Sequence, residues 1–220
     1  MSQKNILLVE GDADRGFFEA LLQRWRFPVK AVDVCTPRDA GRHKNSKQAA
    51  FDVIQKTYLP QLADGQIGRL AVVVDADRAE HGDGHVRTLQ KLADMLKSFN
   101  YAAQQSSAPG LIFQHGDGLA DIGAWVMPDN AGDGMLEDWI KRSIHPREAG
   151  LMNHVRSAID QIPGGHKFKP LRRSKAEVAT WLAWQENPDH GLWQAAEADL
   201  LNESAPLLSG FKDWLGRVFP

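Results

Sequence analysis

Glu10 follows the apolar run Ile6-Leu7-Leu8-Val9, and Asp75 follows Leu70 to Val74 with Asp77 two residues further on. In an open parallel sheet, ligands bind outside the carboxyl ends of the strands. If these two runs are neighbouring strands, Glu10, Asp75 and Asp77 converge on one crevice, with Asp12 and Asp14 close by. Carboxylates gathered there repel one another, and a helix N-terminus offsets only part of the charge. A hard divalent cation would supply the rest. Mg²⁺, with Mn²⁺ able to replace it, takes one or two protein carboxylates together with water and phosphate oxygens. Each acid has a plainer reading when taken singly, because carboxylates after buried strands commonly cap helices and form turns. Asp12 and Asp14 read as caps on that ground. Glu10, Asp75 and Asp77, set jointly after two strong strands, read as a metal site.

The elements that must position these groups are legible as alternation. Asn5 to Glu10 is too short and too aliphatic for a surface helix and predicts a buried parallel strand. Phe17, Phe18, Leu21, Leu22 and Trp25 then recur at helical spacing, which predicts an amphipathic helix over 12–25. "VKAVDVC", ending at Thr36-Pro37, is the next strand, and "QAAFDVIQKTYLPQLAD" the next helix. "RLAVVVDAD" is the strongest strand of all. "VRTLQKLADMLKSF" follows as a helix with Val86, Leu89, Leu92 and Leu96 on one side, and "GLIFQHG" and "IGAWVMPD" are later strands. This order predicts an α/β fold with a doubly wound, Rossmann-like parallel sheet flanked by helices over residues 1–133. From 134 to 220 only helices are readable, as a C-terminal extension packed on that core. Within it, Ser174 and Glu177 have the spacing of a capping box that would open a helix through Trp184.

"LLVEGDADRGFFEALL", followed at a distance by "VVVDADRA", resembles the Toprim family, in which a glutamate follows the first strand and a D-x-D a later one. With "GAWVMPDNAGDGMLEDWI" and "RRSKAEVATWLAWQENP", nearly the whole chain resembles small bacterial Toprim-like proteins, distantly similar to OLD-family nucleases. The resemblance implies Mg²⁺-dependent phosphoryl transfer on DNA or RNA. It carries Glu10 onto the Toprim glutamate, a general acid or base or a metal ligand, and Asp75 and Asp77 onto the metal-binding D-x-D. Only Tyr58 and Tyr101 are present, neither in an evident topoisomerase context, and no primase partner domain is readable. A compact nuclease is the enzymatic option that remains.

Two further stretches bear on that option. Glu137, at the start of a helix after the last strand, is placed either as a second-metal ligand or as part of a capped helix start, while Asp133 reads as a turn residue. "HKFKPLRRSK" gathers Lys167, Lys169, Arg172, Arg173 and Lys175 around an aromatic, a pattern suited to nucleic-acid phosphates at a helix N-terminus, though such a run is often only a solvated face. OLD-type nucleases are similar in placing a lysine beyond the Toprim core to stabilise the transition state, and Lys175 is the candidate for that role.

Composition narrows the alternatives. The 26 Lys+Arg and 28 Asp+Glu nearly balance, so any polyanion binding must be local. One cysteine, Cys35, excludes an internal disulfide and fits a reducing, cytoplasmic setting. No apolar run reaches the roughly 18 residues of a membrane span. The G-x-x-x-x-G-K-[ST] loop of an ATPase is missing. His81, Asp83 and His85 read as an exposed loop, and Trp181 and Trp184 as packing. A second hypothesis keeps the fold without catalysis: an interaction module of a defence or toxin-type complex whose protein partner, such as an ATPase, supplies the chemistry. A third is a receiver-like domain with Asp75 as phosphoacceptor.

Overall fold

A computed structural model describes residues 4–33, 46–80 and 82–220 of the chain. Val34, Cys35, the Thr36-Pro37 strand end and His81 lie outside the described residues. Six strands form one sheet: β1 Lys4–Val9, β2 Val29–Asp33, β3 Ile67–Asp75, β4 Tyr101–Ala103, β5 Leu111–His115 and β6 Ile122–Met127. Their order is β2-β1-β3-β6-β5-β4, and β2, β1, β3 and β6 are parallel. The sheet is therefore α/β and mostly parallel. It departs from the fully parallel expectation at one edge, where β5 runs antiparallel to β6 and β4 antiparallel to β5. The connections over 104–110 and 116–121 explain this, because a parallel crossover needs about a dozen residues or more.

Alternation along the central strands sorts side chains onto two faces. Leu7, Val9, Ala71, Val73, Trp125 and Met127 point to one face, while Ile6, Leu8, Leu70, Val72, Val74, Ala124 and Val126 point to the other. The second face is covered by α2 Ser46–Val53, a π turn at Ile54–Tyr58, α3 Leu59–Ala63 and α4 Gly84–Lys97. On α4 the buried stripe is Thr88, Leu92, Met95 and Leu96. Val86, expected on that stripe, is 79% exposed because, at 100° per residue, it falls on the side of α4 opposite Thr88, Leu92 and Met95.

The first face is covered by α1 Asp12–Arg24 together with the C-terminal helices α5 Leu136–Ser143, α6 Ala149–Asp160, α7 Arg173–Ala183, α8 Trp193–Glu197 and α9 Pro206–Val218. Phe211 of α9 stands at its centre, with ring centroids 5.0 Å from Trp125 and 5.8 Å from Trp139. α9 approaches β6 so closely that a Cβ on Gly123 would lie 2.5 Å from Val218 Cγ2, a contact only glycine allows. The helical region thus has no core separate from the sheet's. No helix among the described residues is long and apolar enough to cross a membrane.

Candidate active site

β1 and β3 are parallel neighbours, so their carboxyl ends lie side by side. The backbone N–H of Asp75 donates to Glu10 Oε1 at 2.8 Å, which brings the two strand-end acids together as the sequence predicts. The backbone N–H of Leu136 donates to Asp75 Oδ1 at 2.9 Å. Asp75 thereby caps α5 from another element, and the positive end of that helix faces its charge. Asp75 thus serves as a helix cap while standing in the acidic group at the strand ends.

Asp14 joins this group. The sequence reading made it a helix cap, and it does take a backbone hydrogen bond from Gly11. Standing at the third position of α1, however, it also faces Glu10 and Glu137. Burial first, then those two charges, push its pKa up to about 7, against the pull of Lys175 and of the Gly11 bond. Burial, followed by Glu10, Asp14 and Glu137, drives Asp75 well above the ordinary carboxylate range. The spacing "EGDAD" contained the signal, since Asp14 lies one helical turn beyond Glu10. A cavity of about 10 Å³, room for roughly one water-sized occupant, is lined by Glu10, Asp14 and Asp75 with Val9, Phe18, Val73, Val74, Met127 and Leu136.

Glu137, in the first turn of α5, completes the cluster and is only 6% exposed. Its Oε1 accepts from Lys175 Nζ at 3.0 Å, and its buried Oε2 has no hydrogen-bond partner. An orphaned buried carboxylate oxygen costs about 1–3 kcal/mol or more, so its presence asks for a ligand. Lys175 reaches in from α7. Burial works against its charge, but Glu137, Asp75 and Asp14 outweigh this and hold its pKa above the usual value. Among the described residues, four carboxylates thus face one ammonium. The donors are all hard oxygens and suit Mg²⁺ or Mn²⁺. No three His, Cys, Asp or Glu side chains among the described residues stand in ligating geometry, so an ion would have to draw these carboxylates together.

The remaining predicted residues are placed differently. Asp77 is bonded through Oδ2 to Lys47 Nζ at 2.8 Å, and the charges acting most strongly on Asp75 are Glu10, Asp14, Glu137 and Lys175. Lys167, Lys169 and Arg172 are exposed on the segment that enters α7, ahead of Lys175 in the chain. Arg173, grouped with them as a phosphate contact, is instead paired with Asp160 at 2.8 Å and Glu177 at 2.7 Å. The expected capping box at Ser174 and Glu177 does not form. α7 begins at Arg173, and both side chains point across to α5, where Lys141 Nζ donates to Ser174 Oγ at 2.8 Å and Glu177 Oε2 at 2.9 Å. Buried position decided their use, because α7 packs that edge on α5. Asp133 closes the 79–85 loop by accepting from the Ala79 and His85 N–H groups at 2.9 and 2.7 Å, in keeping with its reading as a turn residue. Trp181 is fully buried, whereas Trp184 is 44% exposed beside His154.

No curated protein and no solved structure matches the chain. A family model does, over residues 4–220, and the chain belongs to the family described as "Protein of unknown function (DUF3226)".

Proposed function

We propose that the chain is a Mg²⁺-dependent phosphoryl-transfer enzyme that hydrolyses nucleic-acid phosphodiesters, its ion bound within the cluster of Glu10, Asp14, Asp75 and Glu137. The observation that carries this reading is the buried, unpaired Oε2 of Glu137 among three further carboxylates and beside Lys175, at the carboxyl edge of parallel strands. The Toprim resemblance supports it independently.

Bound there, the ion supplies Lewis-acid stabilisation of the charge that develops on the phosphoryl group. Asp75, fixed by the N–H of Leu136, keeps one oxygen oriented from the strand end. Glu10 takes the proton of the attacking water as the new P–O bond forms, and the ester P–O bond breaks with the leaving alkoxide taking a proton from solvent water. Lys175, whose side chain is 42% exposed, turns from Glu137 to a non-bridging phosphate oxygen and shares the stabilisation. Lys167, Lys169 and Arg172 hold flanking phosphates through charge, which gives grip without base specificity.

The test is cleavage of labelled single- and double-stranded DNA and RNA in Mg²⁺ or Mn²⁺. Wild type should cleave at least one of these, and Asp75→Asn and Glu137→Gln should each lose about a hundredfold or more of that rate while remaining folded. Undiminished cleavage by both variants overturns the assignment. No cleavage by wild type moves the reading to the interaction module, whose partner would then be sought by purification from the native host.

A further inference from the structure

Lys47 lies in the first turn of α2 and is only 2% exposed. Lysine is almost never so buried unless it is paired. Its ammonium donates to Asp77 Oδ2 at 2.8 Å, to the Ala76 carbonyl at 3.1 Å and to Thr88 Oγ1 at 3.3 Å. Thr88 is itself fully buried on α4 and donates to the same Ala76 carbonyl at 3.4 Å. A polar knot of α2, α4 and the end of β3 therefore closes on the second carboxylate of the D-x-D.

Asp77 is held through its backbone as well. It adopts φ +61°, a left-handed conformation that aspartate tolerates better than most residues. Its N–H donates to the Gly134 carbonyl at 2.8 Å, and its own carbonyl accepts from the Gly134 N–H at 3.0 Å. These bonds fix the chain just before α5, the helix that carries Glu137 into the acidic cluster.

We infer that Lys47 is a built-in counter-cation that withdraws Asp77 from the ion site, so that the chain takes a single divalent ion at Glu10, Asp14, Asp75 and Glu137. The inference rests on the ion-binding reading of that cluster and departs from the Toprim pattern that the sequence resembles, in which both aspartates of the D-x-D bind metal. A charge of one sign needs one compensation. Asp77 already has its own in an ammonium held in the interior by bonds to Asp77, Ala76 and Thr88, and that ammonium repels a second cation at the same carboxylate. Lys47 is thus a positioning residue, and Asp77 an anchor of the turn between β3 and α4.

Counting Mn²⁺ by electron paramagnetic resonance and calorimetry tests this without reference to cleavage. Wild type should bind one Mn²⁺ per chain. Asp75→Asn should weaken it by about tenfold or more. Asp77→Asn should hold its Kd within about threefold, the size expected of a solvent-screened charge outside the coordination sphere. Lys47→Met should add a second, weaker Mn²⁺, and Lys47→Met/Asp77→Asn should return the count to one. That double variant and Asp77→Asn decide the matter if Lys47→Met alone fails to fold. Two ions in wild type, or an Asp77→Asn loss equal to that of Asp75→Asn, overturns the role given to Lys47 while leaving an ion site standing. No Mn²⁺ bound by wild type overturns the ion site, and the inference falls with it.

Discussion

The titration of Asp14 is where the chemistry of the cluster becomes measurable. Its pKa stands at about 7 in the folded chain because burial and the charges of Glu10 and Glu137 disfavour ionisation. The folded state therefore holds a proton that the unfolded chain releases near the ordinary value of 3.8. By linkage, this group makes ion-free stability fall as pH rises from the ordinary value towards the folded one, and Asp75, also raised, acts in the same direction. Thermal unfolding in chelator should show a Tm that declines from pH 5 to 8, and Mg²⁺ should restore it at the alkaline end. Asp14→Asn should flatten the profile and stabilise the ion-free protein at pH 8 by roughly 1–2 kcal/mol. A flat wild-type profile would mean that the carboxylates are not crowded in solution.

Among the elements, α7 determines whether Lys175 meets Glu137. Its register against α5 is held by Glu177, only 4% exposed, which pairs with Lys141 at 2.9 Å and Arg173 at 2.7 Å. Ser174 joins the same knot through Lys141 and Asp138. Burial raises the pKa of Glu177, but these bonds outweigh it and hold the carboxylate below its usual value. Glu177→Ala should cost about 1–3 kcal/mol, because Lys141 loses its nearer carboxylate and keeps only Asp138 at 3.4 Å. Cleavage should fall further than the folded fraction does, because Lys175 loses its fixed approach. Denaturant unfolding beside rates at matched folded fraction checks both halves, and rates that track stability alone would remove the positioning role of α7.

At the scale of the whole molecule, residues after 134 are a structural layer of the sheet as well as an extension of the site. Trp139, Trp181 and Trp214 are fully buried in the cluster that also contains Leu7, Val9, Val73 and Trp125. Removing residues 134–220 would leave that face of the sheet covered by α1 alone and take Glu137 and Lys175 with it. The fragment 1–133 should therefore fail to unfold cooperatively and should bind a hydrophobic dye, whereas the full chain should give one transition by both circular dichroism and tryptophan fluorescence. A soluble, cooperatively folded fragment would contradict the shared core.

Period and apolar runs suffice for much of this molecule. Glu10 and Asp75 are legible at one sheet edge because aliphatic runs such as Ile6 to Val9 and Leu70 to Val74 have few alternatives to buried parallel strands. The helices α1 and α4 follow from helical spacing in the same way. Such local rules say nothing about which polar side chains end up opposite one another. Asp14, Glu137 and Lys175 meet because α1, α5 and α7 converge on one strand edge, an outcome of packing over long sequence separations. Lys47 had a local sign, since it stands three, four and seven residues before buried Ala50, Phe51 and Ile54, on the apolar stripe of its helix. Its partner Asp77 could be found only in three dimensions. The chain alone determined the layers of the fold and the edge where chemistry gathers. The tertiary structure decided which carboxylates share that edge, because electrostatic crowding, burial and pairing depend on distances that no sequence spacing contains.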